Sequence, residues 1–113
     1  MVAGVYNIIV EQGGTYGETV TISQSGTPLN LTGYTAELKV GIDESTKGDI
    51  LDLTSSSGLT MGGALGTIAI LITAAVTKTL PPNTYIYDLV IINGTTRTYI
   101  LEGSFTVVAR KSK

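Results

Sequence analysis

The side chains able to do chemistry in this sequence are few, and the densest group is acidic: Asp43, Glu44, Asp49 and Asp52, in a polar stretch that also carries Ser45 and Thr46. Carboxylates interleaved with hydroxyl and carbonyl oxygens suit a hard cation, so Asp43, Glu44 and Asp49 form a weak calcium candidate. Their spacing matches no known calcium loop, and the competing reading is a solvated connection between strands. The same acids sit beside Lys47 with no second wall opposite, so they do not make the paired carboxylates of a glycosidase. Histidine and cysteine are both missing. That excludes imidazole and thiolate zinc sites, Ser-His and Cys-His nucleophile pairs, and a disulfide framework. The sequence therefore points to no catalytic residue and no cofactor.

A second group stands out by its surroundings. Asp88 alternates with Tyr87 and Leu89 and falls on the opposite face, among Ile86, Val90 and Ile92; Ile100 and Val108 are expected to continue that face on a neighbouring strand. Branched apolar residues in a row are not left to water without a cover. Two covers are open: a neighbouring subunit, with Asp88 as a polar register mark, or the N-terminal strand or a loop of the same chain. The stretch 109–113 is expected to be a flexible basic tail, and with no aromatic residue among its charges it does not suggest nucleic-acid binding. Tryptophan is absent and most tyrosines fall on inward positions, leaving Tyr16, in its GGTYGE turn, as the exposed one.

The elements that must place these residues are strands. Leu80 to Val108 reads as a long β-hairpin about Asn93-Gly94, with Tyr85, Tyr87, Leu89 and Ile91 inward on one arm and Tyr99, Leu101, Phe105 and Val107 inward on the other. Gly103 falls at an inward position and predicts a β-bulge or a close backbone approach. Upstream, Val5 to Glu11 places Tyr6, Ile8 and Val10 on one face, and Glu18 to Gln24 turns Val20 and Ile22 inward. Tyr34 to Ile42 alternates cleanly, with Tyr34, Ala36, Leu38, Val40 and Ile42 together. Leu51 with Leu53, then Leu59 with Met61, make short strands, and Gly66 to Thr73 is a core strand through Ile68, Ile70 and Ile72. Thr73 before Ala74-Ala75, with Pro81-Pro82 beyond, allows one helical turn near 74–79, capped by Thr73. Val76 and Leu80 would plug the core beneath it.

Seven to eight short strands and a crossover long enough to change sheets predict an all-β fold, an immunoglobulin-like antiparallel β-sandwich, in preference to a barrel. Tyr85, starting a long strand just after the crossover, is either a tyrosine-corner residue or another core aromatic. At 113 residues the chain is one domain. Its charged fraction is 14%, against roughly a quarter in an ordinary soluble domain, which favours life in an assembly over life as a free monomer. No secretory leader is expected, and no run of about 18 apolar residues is present to span a membrane.

Five segments, in order, carry a resemblance: IVEQGGTYGETVTI, GTPLNLTGYTAELKV, SSGLTMGGALGTIAILIT, TKTLPPNTYIYDLVI and TRTYILEGSFTVV. The chain resembles a family of small immunoglobulin-like proteins encoded among the structural genes of tailed bacteriophages. It departs from the family at Gly41-Ile42, where an arginine is frequent, and at Asn83-Thr84, where a glycine is frequent. The resemblance implies a non-enzymatic virion protein of the tail, baseplate, fibre attachment or neck, whose partners are other virion proteins and its own copies. The alternative is a module displayed on the virion that binds carbohydrate or protein of the host surface through loops.

Overall fold

A computed structural model describes residues 4–24, 26–42 and 49–112. Its elements in chain order are β1 (Gly4–Val5), β2 (Ile8–Glu11), β3 (Tyr16–Thr21), β4 (Ser23–Gln24), β5 (Thr27–Pro28), β6 (Thr35–Gly41), β7 (Leu51–Thr54), β8 (Leu59–Met61), β9 (Thr67–Ile72), α1 (Ala74–Thr77), β10 (Asn83–Asn93) and β11 (Thr96–Val108), with a 3-10 turn at Gly63–Leu65. The large sheet runs β1-β11-β10-β6-β7, with β2 also paired to β11, and the small sheet runs β3-β9-β8. Among the described residues no strand ladder joins the two sheets, so the closure is a sandwich and not a barrel. The order is that of an immunoglobulin-like fold, and α1 carries the chain from the small sheet back to the large one. Among the described residues the strand ladders are antiparallel except at one edge, where β1 and β2 run parallel to β11.

The period-2 pattern explains the interior. Ala36, Leu38 and Val40 of β6, Tyr85, Tyr87, Leu89 and Ile91 of β10, and Ile68, Ile70 and Ile72 of β9 meet in one apolar cluster with Ile8, Val10, Phe105 and Val107. Leu80 is buried at the end of this core and Val76 packs against it, as their positions around the crossover predict.

Three expected strands end or turn differently. The N-terminal strand is broken at Tyr6-Asn7, where the Asn7 side chain takes the Ser104 N–H in place of a backbone carbonyl; Ile8 and Val10 stay inward while Tyr6 is left exposed. β6 stops at Gly41, so Ile42 is exposed instead of sharing the Tyr34 face. The hairpin loop is Gly94-Thr95 and not Asn93-Gly94, because Asn93 is the last paired residue, opposite Thr96; Gly94 supplies the positive φ of 64°. One residue of β11 then has no partner: Leu89 pairs with Leu101 but Val90 with Tyr99, leaving Ile100 as a bulge. The bulge reverses which face the residues beyond it present. Tyr99 therefore points outward and is exposed, and Ile100 is buried in the core cluster instead of continuing the outer face.

Gly103 is the close-approach site and not the bulge. An added Cβ there would lie 2.5 Å from the Tyr6 carbonyl oxygen. Tyr87, its cross-strand partner, lies edge-on to Phe105 with ring centroids 6.5 Å apart and donates its phenol to that same Tyr6 carbonyl. Bare backbone at Gly103 thus lets the kinked N-terminal strand settle against the sheet. Thr73 holds the N-cap position of α1 in extended backbone, but its side chain makes no cap bond; its carbonyl accepts from the Val76 and Thr77 N–H groups.

The Tyr85 hydroxyl donates to the Pro81 carbonyl at 2.8 Å, four residues upstream. That is a tyrosine corner, and it fixes the exit of the crossover before β10. Tyr85→Phe leaves the ring packed and removes this bond, and is expected to cost about 1 to 2 kcal/mol of unfolding free energy in urea titration with an unchanged m-value.

Candidate functional site

The expected acidic site is only partly within view. Asp43 and Glu44 lie outside the described residues, and Asp49 is half-buried at the start of the segment leading into β7. Among the described residues no group of three acids is placed to hold a metal ion. Every buried side-chain nitrogen and oxygen among them has a hydrogen-bond partner.

The outward face of the large sheet is where Asp88 and its neighbours come together. Ile86 and Asp88 are exposed, Ile92 and Val108 are half-buried, and Val90 is 2% exposed although it lies outside the core cluster. Register explains the burial of Val90. Glu37 of β6 stands on one side of it and Tyr99 of β11 on the other, and an ion pair of 3.3 Å joins Glu37 to Arg97, which faces Ile92. The pair crosses over β10, with Tyr99 on the same outward face beside Arg97. Sequence reading missed this cover because it depends on the bulge that turns Tyr99 outward.

The face is also striped by charge. Asp52, Lys39, Asp88 and Glu102 stand side by side across β7, β6, β10 and β11, and Val5 of β1 follows at the edge, 75% exposed. Asp88 and Glu102 are directly opposed like charges. Partial burial first, and then the Glu102 carboxylate, hold the Asp88 carboxyl above its usual range, while Arg97 and Lys39 pull it down. Ile9, 63% exposed, and Ile86 flank this row toward the α1 end. Among the described residues neither a strand nor a helix lies over the face; β1 and β2 extend its edge instead of covering it.

Two further clusters were not legible. At the edge between the sheets, Tyr6, Tyr16 and Tyr87 gather, with Tyr16 half-buried against the core beside Tyr6. Tyr16 is thus not the exposed tyrosine; Tyr99 and Tyr6 are. Burial, with Tyr6 beside it, pushes the Tyr87 phenol up to about 12, and burial ahead of Tyr6 and Glu18 raises Tyr16 further. At the α1 end, the buried Gln12 amide donates to the Leu80 carbonyl at 2.9 Å and accepts from the Arg110 N–H, and the Thr77 hydroxyl donates to the Gly14 carbonyl at 2.8 Å. Arg110, the first basic residue of the tail, also pairs with Glu11. The shallow depression there, about 410 Å³, is lined by these already bonded groups and by Gly13, Lys111 and Ser112. The chemistry on offer in both clusters is hydrogen bonding that locks chain segments together.

Removing one of the two opposed carboxylates should stabilise the fold. Asp88→Asn is expected to raise unfolding free energy at pH 7 by a few tenths to about 1 kcal/mol, with the gain lost as pH falls and the raised Asp88 carboxyl of the parent takes up its proton. Because the fold favours the protonated Tyr87 phenol, stability is intact below pH 10 and falls as pH rises toward 12. Tyr87→Phe should show a shallower loss of urea midpoint over that window than the parent.

No protein-family profile matches the chain, and no curated protein matches it significantly. Among solved structures it is similar to the N-terminal domain of phage TP901-1 ORF48, with a TM-score of 0.45 and 12% sequence identity over 96% of this chain and 86% of that one.

Proposed function

We propose that the protein is a non-enzymatic structural subunit of a tailed-bacteriophage particle, packed in the tail, baseplate, fibre attachment or neck, and that the outward face of the large sheet is a contact surface for another virion protein. The observation that carries this is the combination on one rigid sheet of exposed Val5, Ile9, Ile86 and Tyr99 with the opposed pair Asp88 and Glu102. Apolar and aromatic side chains around a few fixed charges are the make-up of a recognition patch, in which the apolar groups supply affinity and the charges set register. The family resemblance of the sequence segments supports the phage assignment. The apolar interior and the absence of histidine and cysteine support a role in adhesion rather than catalysis.

The test replaces Ile9 and Ile86 with Lys, both outward and clear of the core. The double variant should keep its circular dichroism spectrum and melt within a few degrees of the parent. It should fail to enter particles when it is the only source of the protein during phage assembly. Normal occupancy in electron cryomicroscopy of those particles would overturn the reading.

A further inference from the structure

The outward face of the small sheet is the opposite of the one just described. Gly17, Thr19 and Thr21 of β3, Thr67, Ala69 and Leu71 of β9, and Thr60 of β8 form it, and none of them is charged. The sequence makes this systematic. The chain holds seven basic and nine acidic residues, yet none falls between Leu53 and Thr77, and Glu18 of β3 is the small sheet's one charge, on the inward side with Tyr16 and Val20. The large sheet's outward face carries Glu37, Lys39, Asp52, Asp88, Arg97 and Glu102. Depletion of charge is the compositional mark of an interface centre.

Gly17 sharpens the point. Glycine in a strand interior weakens it by roughly 0.5 to 1 kcal/mol and is normally repaid by an unusual backbone angle or a close neighbour. Gly17 has neither: it is not among the positive-φ glycines, and an added Cβ would meet nothing within 4 Å. Its cross-strand partner is Leu71, a side chain 50% exposed on the same face. A gap and a knob thus lie side by side. A two-fold axis between them seats each copy's Leu71 over the other copy's Gly17, with Thr and Ala around them and no charge brought against its like.

We infer that this protein self-associates through the outward face of the small sheet, as an isologous sheet-on-sheet pair locked by Leu71 against Gly17 of a second copy. A second copy is the occupant because this chain supplies both complementary shapes, and because the other face, turned on itself, would press carboxylates together. Three strands about 4.8 Å apart give a small footprint for a stable dimer, so the pair is weak in isolation and gains from repetition in an array.

Sedimentation velocity of the purified chain up to millimolar concentration should show a reversible monomer–dimer equilibrium. Ala69→Lys and Gly17→Val should each weaken it about tenfold or more with the fold intact by circular dichroism, and Gly17→Val should melt no lower than the parent. Ile86→Lys, on the other sheet, should leave it unaltered. The swapped pair Gly17→Leu with Leu71→Gly moves the knob to the other strand and should restore association lost in Gly17→Leu alone. A chain monomeric at every concentration, or a dimer insensitive to Ala69→Lys and Gly17→Val but broken by Ile86→Lys, overturns the inference. Each result is read without a phage particle, so it stands or falls separately from the virion assignment.

Discussion

One unpaired residue, Ile100, sets the chemistry of both sides of the hairpin on which the sandwich is built. Alternation along a strand is strict, so an inserted residue reverses every side chain on one side of it. Between the turn and the bulge, Thr98 faces inward with Ile91, while Arg97 and Tyr99 face outward; past it, Leu101, Gly103, Phe105 and Val107 face the core. The ion pair over Val90 exists only because of this reversal. Past the bulge, the bare backbone at Gly103 lets the kinked N-terminal strand approach the sheet, with the exposed Val5 and Ile9 at its edge.

One end and one edge of the sandwich are held by neutral hydrogen bonds. Gln12 ties the turn after β2 to Leu80 and to the chain beyond β11; Thr77 ties α1 to Gly14; Tyr85 closes the corner after the crossover; Tyr87 holds Tyr6. Each bond spends a buried polar group on a backbone carbonyl or N–H that would otherwise lack a partner. Glu37, Lys39, Asp52, Asp88, Arg97 and Glu102 stand on the outer side of the large sheet, while the outer side of the small sheet carries no charge.

Much of this was legible before the structure, and the failures have physical causes. Strand positions and the core followed from alternation, whereas for Tyr85 the position after a Pro-terminated crossover left a corner residue and a core aromatic both open, until its bond to the Pro81 carbonyl decided for the corner. Local pattern is enough where a strand is regular and half-buried. It fails at Tyr6, Ile42, Tyr99 and Ile100, where a kink, a strand end or a bulge interrupts the alternation, since these depend on the partner strand. Of the candidate interface, Ile86, Asp88 and Ile92 lie on the outer face as read, Val90 is there but covered, and Ile100 has moved inside. Gln12 and Thr77 carry no pattern signal, because a buried amide or hydroxyl resembles a surface one until its partners are known.

The parallel edge has a mechanical corollary. The first strands, β1 and β2, and the last, β11, lie side by side and point the same way, bonded from Gly4 beside Leu101 to Glu11 beside Val108. Tension pulling the start of β1 and the end of β11 apart therefore acts along the ladder as shear, so its bonds must yield together rather than unzip one by one. The same geometry makes this edge resist a pull along its strands far better than a pull across them.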